Sequence, residues 1–472
     1  MAEQLFAGVA RVDITPPIGQ TMAGYGARTK VSDGIDDPLY AYAVAFEQGD
    51  QACAIVVADL IGIPRKYSDI LRERVAELGD LPAERVMVCA THTHWGPILR
   101  KSGYLPPDLK EAVSEDYSIT CMRQMAGAVA EAWRTREPAI ALSGVGDADL
   151  VSFNRRPVTT EGQVAMNLLL PPEQALVASR IGRELSLTWE KGGGRGQRLS
   201  DPVPEVQGLR IGPANTQVPV LKLIRPDGSP IAAVLAFGCH PVCGGDRETT
   251  FYRYSADYPA WARRVIETTL GCPAVFLLGC AGDQVPLRRG NDSRQRIGHS
   301  IGAEALRVWE LLSTDLPGLE DGIGPLRVGG VRTELPLREM PTVEEAREAL
   351  AATGDPDGTG GVKARHDLSL AEKYDGQTAQ PIEVWSMAFG DQWGLVGLPG
   401  EVLCEFELQI RQQSPFETTA VIELAQSVLD YLPTDAAIDE GGYEPGWSPF
   451  GKGTEAAAVD GAVAALRDVA PR

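Results

Sequence analysis

Two histidines separated by one residue are the strongest chemical signal in the sequence. They lie in the segment THTHWGP, directly after residues 85–91, which have the apolar pattern of a buried strand. Side chains two residues apart on a strand point to the same face, so we expect His92 and His94 to project together. A close histidine pair suits a transition metal, or one metal-bound imidazole beside one that transfers protons. The alternative is a pair of polar residues at the rim of a sheet.

A third histidine and a carboxylate occur in similar surroundings. The apolar segment 231–237 runs into FGCHPV, which places His240 in a turn directly after a strand. Three of the five histidines therefore follow strand-like segments. In LPGE, Glu401 follows the apolar strand 393–396 and is predicted to open a helix over 401–412. Glu401 either complements the dipole of that helix or completes a set of two histidines and one carboxylate around zinc.

An alternation of strands and helices has to position these residues. The helical patterns cover 67–78, 114–133, 258–268, 293–312 and 343–352, and the strand patterns cover 40–46, 52–60, 85–91, 139–145, 218–224, 231–237 and 274–278. Segments 383–389 and 393–396 are predicted to pair through a turn at Gly390 and Asp391. This order predicts an α/β fold with mixed sheets flanked by helices.

The organisation of the chain favours one large domain over residues 1–472. Two polar, glycine-rich stretches interrupt the pattern near 171–204 and 354–361, and both are predicted to be loop insertions. Neither has the GxxxxGK[ST] order of a phosphate-binding loop. No sequence feature defines an oligomeric state.

Composition excludes several classes of function. The 472 residues carry 44 basic and 64 acidic side chains, a formal charge of −20, which argues against nucleic acid or an anionic membrane as partner. No apolar run approaches the roughly 20 residues of a transmembrane helix. The first residues lack the pattern of a signal peptide, so we expect a cytoplasmic protein. The eight cysteines are scattered, as expected of reduced thiols, and the Cys239/Cys243 pair around His240 lacks the second pair that a thiolate metal site needs.

In their order along the chain, these elements resemble the catalytic domain of the neutral/alkaline, non-lysosomal ceramidase family. The matching segments are GVARVDITPP at 8–17, GYG at 24–26, Asp59 at the end of IVVAD, HTHWGP at 92–97, Asn154 with Arg155, the stretch 201–210, His240, Glu401 in PGE and Tyr431 in LDYLPT. The resemblance extends over most of the chain. It implies a zinc ion held by His92, His240, Glu401 and Tyr431, with Tyr443 as a competitor for the last position.

The resemblance also implies roles and one departure. His94 and Arg155 would contact substrate and stabilise charge, and Arg156 would replace Arg155 if the register were shifted by one. By the resemblance, Val285 in GCAGDQVP would occupy the position of the family's nucleophilic serine, and we expect no counterpart of the family's secretion signal or C-terminal domain. Zinc can lower the pKa of a bound water to about 7, so hydrolysis does not require the serine. His94 or Asp283 would then move protons.

The sequence therefore predicts a zinc-dependent hydrolase that cleaves an amide C–N bond with metal-activated water. The substrate is expected to be a small molecule other than ceramide. Two alternatives stay open, a zinc-dependent esterase or other acyl hydrolase and a zinc-binding homologue without catalysis. No residue separates amide from ester substrates, because both reactions pass through a tetrahedral oxyanion.

Overall fold

The computed structural model of the chain describes residues 3–79, 81–149, 151–158, 162–164, 184–188, 205–210, 212–244, 249–287 and 289–471. The predicted loop insertion near 171–204 lies outside the described residues, apart from a strand at 184–188 that pairs antiparallel with 205–210. The insertion near 354–361 is described and ends in a 3-10 turn at Thr359–Gly361.

The strands and helices of the described residues follow in chain order. The strands are β1 (Leu5–Asp13), β2 (Gly34–Ile35), β3 (Tyr40–Gln48), β4 (Gln51–Ala58), β5 (Val86–Ala90), β6 (Glu137–Asp147), β7 (Ser152–Asn154), β8 (Glu184–Thr188), β9 (Glu205–Arg210), β10 (Gln217–Ile224), β11 (Pro230–Phe237), β12 (Arg253–Tyr254), β13 (Ala274–Leu278), β14 (Gln284–Pro286), β15 (Leu326–Pro336), β16 (Ala379–Phe389), β17 (Trp393–Gly397), β18 (Glu401–Val402), β19 (Thr418–Ile422) and β20 (Tyr431–Leu432). The helices are α1 (Arg65–Leu78), α2 (Pro107–Glu111), α3 (Glu115–Arg134), α4 (Tyr258–Leu270), α5 (Asn291–Leu311), α6 (Val343–Ala351), α7 (Val362–Lys373), α8 (Cys404–Gln413), α9 (Asp435–Glu440), α10 (Tyr443–Trp447) and α11 (Thr454–Asp468).

Two mixed sheets form the centre of the fold. The larger has eight strands in the order β13-β11-β10-β6-β1-β3-β4-β5, and the smaller has the order β15-β16-β17-β19. Within the larger sheet β4 pairs with β5 and β11 with β13 in parallel, whereas β1, β3 and β4 pair antiparallel. The predicted α/β fold with mixed sheets is confirmed.

The two sheets pack face to face between two layers of helices. On β4, Ala54 and Val56 point to the helices α1 and α3, whereas Ile55 and Val57 point to the smaller sheet. Helices α4 and α5 cover β10, β11 and β13, and α8 and α11 cover the outer face of the smaller sheet. Alternate residues of one strand thus enter two cores, which explains why the central strands are apolar throughout.

Most predicted elements are present, with boundaries shifted by a few residues. Helix α3 begins where expected because the Ser114 side chain accepts a hydrogen bond from the Tyr117 backbone N–H (3.1 Å). The helix predicted over 401–412 is wrong at its start, since α8 begins at Cys404. Glu401 is extended instead, because its N–H donates to the Asp430 carbonyl (2.8 Å) and Gly400 before it has φ +85°. No helix among the described residues is both long and apolar enough to cross a bilayer.

Candidate metal centre

The first two histidines lie in the loop that leaves β5. His92 follows the strand by two residues and has φ +65°, a left-handed conformation that is uncommon for a non-glycine residue. Its N–H donates to the Leu60 carbonyl (2.9 Å), which holds the loop against the end of β4. The Nε2 atoms of His92 and His94 lie 3.4 Å apart. The two side chains therefore converge as predicted, but the turn of the loop brings them together rather than alternation along a strand.

His240 reaches the same place from the end of β11. Its N–H donates to the Gln284 carbonyl (2.9 Å), and the Pro241 carbonyl accepts from the His94 N–H (3.5 Å). The Nδ1 of His240 donates to the Ala281 carbonyl, as the Nδ1 of His92 does to the Ile61 carbonyl (2.6 Å). Because a carbonyl only accepts, each Nδ1 carries a proton, and in the neutral form of each ring the lone pair of Nε2 faces the centre.

The carboxylate and the phenol come from a short parallel pairing. Strand β18 lies beside β20 with Glu401 opposite Tyr431, which places both side chains at one point. Glu401 Oε2 lies 3.4 Å from His92 Nε2 and 3.3 Å from His240 Nε2. The Tyr431 hydroxyl accepts from Arg155 Nη2 (3.1 Å) and lies near enough to Glu401 for the negative charge of that carboxylate to raise the pKa of the phenol. All four residues of the predicted ligand set therefore meet.

The spacing of these atoms fits a metal ion. A tetrahedral zinc with bonds of about 2.0–2.1 Å separates two ligand atoms by about 3.3–3.4 Å. Glu401 Oε2 and His240 Nε2 match that separation, and both are buried atoms without a hydrogen-bond partner. The nitrogen atoms of His92, His94 and His240 lie within 4.8 Å of one another, so this group can hold a metal ion and His94 is a further possible ligand.

Burial favours the neutral form of two of the imidazoles, and the neighbouring histidines favour the charged form of the carboxylate. Burial lowers the pKa of His240 to about 4, and the positive charge of Arg155 acts in the same direction. Burial, together with the neighbouring histidines, holds the pKa of His94 well below its ordinary value. Burial alone would raise the pKa of Glu401, but His92 and His240 outweigh it and lower that pKa well below the usual range. Neutral imidazole and ionised carboxylate are the forms that bind metals.

The two adjacent arginines separate into one that reaches the centre and one behind it. Arg155 donates to the Tyr431 hydroxyl, to the Gly282 carbonyl (2.7 Å) and to Glu444 Oε1 (2.7 Å). Arg156 donates to the other oxygen of Glu444 (2.5 Å). Glu444 is fully buried and pairs with both guanidinium groups, one through each carboxylate oxygen. Sequence analysis missed Glu444, and the only signal nearby was the neighbouring Tyr443.

Asp283 lies beside the centre and accepts several hydrogen bonds. Its carboxylate accepts from Asn154 Nδ2 (2.7 Å), Gln284 Nε2 (2.9 Å) and the Cys404 N–H (2.9 Å). These bonds join β7, β14 and the start of α8. Val285, two residues further along the chain, is a fully buried core residue of β14.

A second residue that the sequence did not indicate, Glu423, ties the two halves of the centre together. Its Oε2 accepts from the Val402 N–H (2.7 Å), beside Glu401, and from the Ala281 N–H (3.0 Å), whose carbonyl holds His240. Glu423 is fully buried, and burial raises the pKa of its carboxyl well above the ordinary value.

Fold and site together define an α/β protein of two stacked mixed sheets with a buried histidine group that can hold a metal ion. No protein-family model matches the chain, and no curated protein matches its sequence. Two solved structures match its fold over 100% of this chain and 76% of theirs. Neutral ceramidase from Pseudomonas aeruginosa superposes with a TM-score of 0.68 at 19% identity. A ceramidase complexed with C2 superposes with a TM-score of 0.66 at 17% identity. The chain thus has a ceramidase-like fold.

Proposed function

We propose that this chain is a zinc-dependent hydrolase, folded as one catalytic domain, that cleaves an amide C–N bond in a small molecule other than ceramide. The observation that carries the proposal is that Glu401 Oε2 lies 3.4 Å from His92 Nε2 and 3.3 Å from His240 Nε2, while Glu401 Oε2 and His240 Nε2 are buried and form no hydrogen bond. The ceramidase-like fold supports it, because both similar structures are named ceramidases.

His92, His240, Glu401 and Tyr431 would hold the zinc. When bound, zinc lowers the pKa of a coordinated water and polarises a carbonyl group. The Nδ1–H groups of His92 and His240 donate to backbone carbonyls, and these hydrogen bonds fix the orientation of both imidazole rings without a metal. Burial, together with the charge of Glu401, raises the pKa of the Tyr431 phenol well above its ordinary value, and the charge of Arg155 acts in the opposite direction without offsetting them.

Proton transfer falls to His94. Its ring is neutral, and its Nε2 lies beside His92 at the centre. Hydrolysis adds the hydroxyl of water to the carbonyl carbon and the remaining proton to the leaving nitrogen, so one base that becomes an acid suffices. Arg155 stays cationic and would stabilise negative charge on the carbonyl oxygen. Asp283 already accepts three hydrogen bonds, which favours positioning of Asn154 over proton transfer.

Metal analysis of the freshly purified full chain tests the centre first. We expect about one zinc per chain, loss of hydrolysis in EDTA and recovery on addition of zinc. His92→Ala should lose the metal. His299→Ala, an exposed histidine on α5, is the matched control and should keep both metal and activity. A protein without bound zinc, or one equally active in EDTA, would overturn the proposal.

The role of His94 has its own test. His94→Ala should keep the metal and lower kcat by about 10²–10⁴, the usual contribution of a general acid–base group. Loss of zinc in this variant would instead make His94 a ligand. Amide and ester substrates of one skeleton, compared on the same preparation, decide between amidase and esterase, and no turnover of either would favour the zinc-binding homologue.

A further inference from the structure

Buried N–H groups without acceptors cluster around Tyr25, next to the proposed centre. The groups are Arg28 Nη2, Trp95 Nε1 and Arg289 Nε, and beside them Arg294 Nε, which forms no hydrogen bond but lies 3.5 Å from Asp257 Oδ2. The Tyr25 ring lies 5.1 Å from the His94 ring, 5.4 Å from the Trp95 ring and 5.0 Å from the Arg28 guanidinium carbon. The Tyr25 ring thus contacts His94 and also two of the side chains that carry these donors, Arg28 and Trp95. Donors without acceptors in one place indicate a missing acceptor group.

Two of the three arginines in this cluster lack a counter-charge. Arg294 pairs with Asp36 (3.2 Å) and Asp257 (3.5 Å). Arg28 forms no ion pair with a carboxylate of the described residues, and neither does Arg289. The Arg28 side chain is only 3% exposed, and burial lowers its pKa to about 10. A buried cation without a partner is costly, so its retention points to a ligand that supplies the charge.

Backbone contacts hold Arg28 in place. Its Nε donates to the Phe251 carbonyl (3.0 Å) and its Nη1 to the Ala23 carbonyl. The guanidinium lies against both the Tyr25 and the Phe251 rings, at 5.0 and 4.7 Å from their centroids. Nη2 is the donor left over. A guanidinium held so rigidly is pre-organised to bind a planar anion at low entropic cost.

We propose that the donor cluster around Tyr25, formed by Arg28, Trp95, Arg289 and Arg294, binds a carboxylate on the substrate, recognised by Arg28 with Arg289 contributing charge. The inference rests on the proposed function and narrows it to amides that carry a carboxylate close to the scissile bond. The carboxylate belongs either to the amine product, as in an N-acyl amino acid, or to the acyl product, as in a monoamide of a dicarboxylic acid. Both sources present the same chemistry to Arg28.

Matched substrate pairs test the proposal and distinguish the two sources. N-octanoylglycine is compared with N-octanoylethanolamine, and N-ethylsuccinamic acid with N-ethylbutanamide. We expect kcat/KM to be at least about tenfold higher for the carboxylate member of one pair, the usual effect of one hydrogen bond to a charged group. Arg28→Gln should reduce that ratio to about threefold or less. Equal rates in both pairs, or a preference that survives Arg28→Gln, would overturn the proposal.

A binding measurement separates this proposal from the proposed function. The full chain, stripped of metal with EDTA, is titrated calorimetrically with N-octanoylglycine and with N-ethylsuccinamic acid, so that the carboxylate cannot bind to zinc. Binding of one acid, weakened about tenfold or more by Arg28→Gln, supports the subsite even if no amide is hydrolysed.

Two further variants keep this measurement decisive. Arg11→Gln, an exposed arginine paired with Glu267, is the control and should bind as the wild type does. If Arg28→Gln fails to fold, Arg289→Gln replaces it, since the Arg289 Nε has no partner to lose. Equal affinity in the wild type and in the Arg28→Gln or Arg289→Gln variant, or no binding of either acid, would overturn the proposal.

Discussion

Two buried arginines of similar exposure, Arg263 and Arg28, are satisfied in opposite ways. Arg263 is 2% exposed, and its two Nη atoms donate to the two oxygens of the fully buried Asp59 at 2.9 and 2.7 Å. Arg28 is 3% exposed and donates only to backbone carbonyls. Burial alone therefore does not tell a structural arginine from a binding one. The presence or absence of a counter-charge does.

The Asp59 pair supports the centre from outside it. Besides Arg263, the carboxylate accepts from the Tyr40 N–H (3.0 Å) and from the Thr91 hydroxyl (3.2 Å). Thr91 directly precedes His92, so this network fixes the loop in which the first histidine takes its left-handed conformation. Arg263 Nε lacks an acceptor there, as Arg28 Nη2 does near Tyr25, but the charge of Arg263 is compensated by Asp59 and that of Arg28 by no described carboxylate.

Removal of Arg263 should have the largest effect on stability. Arg263→Gln leaves Asp59 buried without its cation, and we expect a loss of about 3–5 kcal/mol in the free energy of unfolding. Chemical denaturation at pH 7 measures it. The exposed neighbour Arg264→Gln is the control and should change stability by less than about 1 kcal/mol. A loss below about 1 kcal/mol for Arg263→Gln would show that the pair is not structural.

Glu444 is the intermediate case, because one carboxylate serves two cations. In Glu444→Gln, Arg155 keeps its bonds to Gly282 and Tyr431, and Arg156 keeps its contact with Glu440 (3.6 Å). We therefore expect a smaller loss than for Arg263→Gln, about 2–3 kcal/mol at pH 7. A stability change equal to that of a surface substitution would contradict the assigned role.

The pH dependence of stability gives Glu444 an independent test. Burial would raise its pKa, but Arg155 and Arg156 outweigh burial and lower it below the ordinary 4.5. A carboxyl with a depressed pKa contributes stability above its unfolded pKa, and that contribution is lost as the pH falls through the folded value. The difference between wild type and Glu444→Gln should thus be full at pH 7 and shrink below about pH 4.5. If the stability difference between wild type and Glu444→Gln grew as the pH fell, the pKa of Glu444 would be raised in the folded state rather than lowered.

The sequence predicts those features that leave a local pattern in the chain, and it does not predict features that depend on pairing between distant segments. The strand-end histidines and most sheet strands were found because burial leaves an apolar run beside them. Strand β15 was missed since it is half exposed and contains Gly329 and Gly330. Tyr431 came only from family resemblance, because its place beside Glu401 depends on a parallel pairing that no local pattern encodes. The catalytic roles of His94 and Arg155 stay predictions.

The smallest stability effect should belong to Arg28, although it is as buried as Arg263. Arg28→Gln removes two bonds to backbone carbonyls but also removes a cation that no described carboxylate compensates, so we expect a change within about 1 kcal/mol. Denaturation in N-octanoylglycine adds a second contrast, since a ligand that binds only the folded state stabilises it in proportion to RT ln(1 + [L]/Kd). The wild type and Arg263→Gln should both gain this stabilisation, because both keep Arg28, and Arg28→Gln should gain much less. A loss for Arg28→Gln as large as that for Arg263→Gln would make Arg28 a structural arginine and remove the distinction between the two regions.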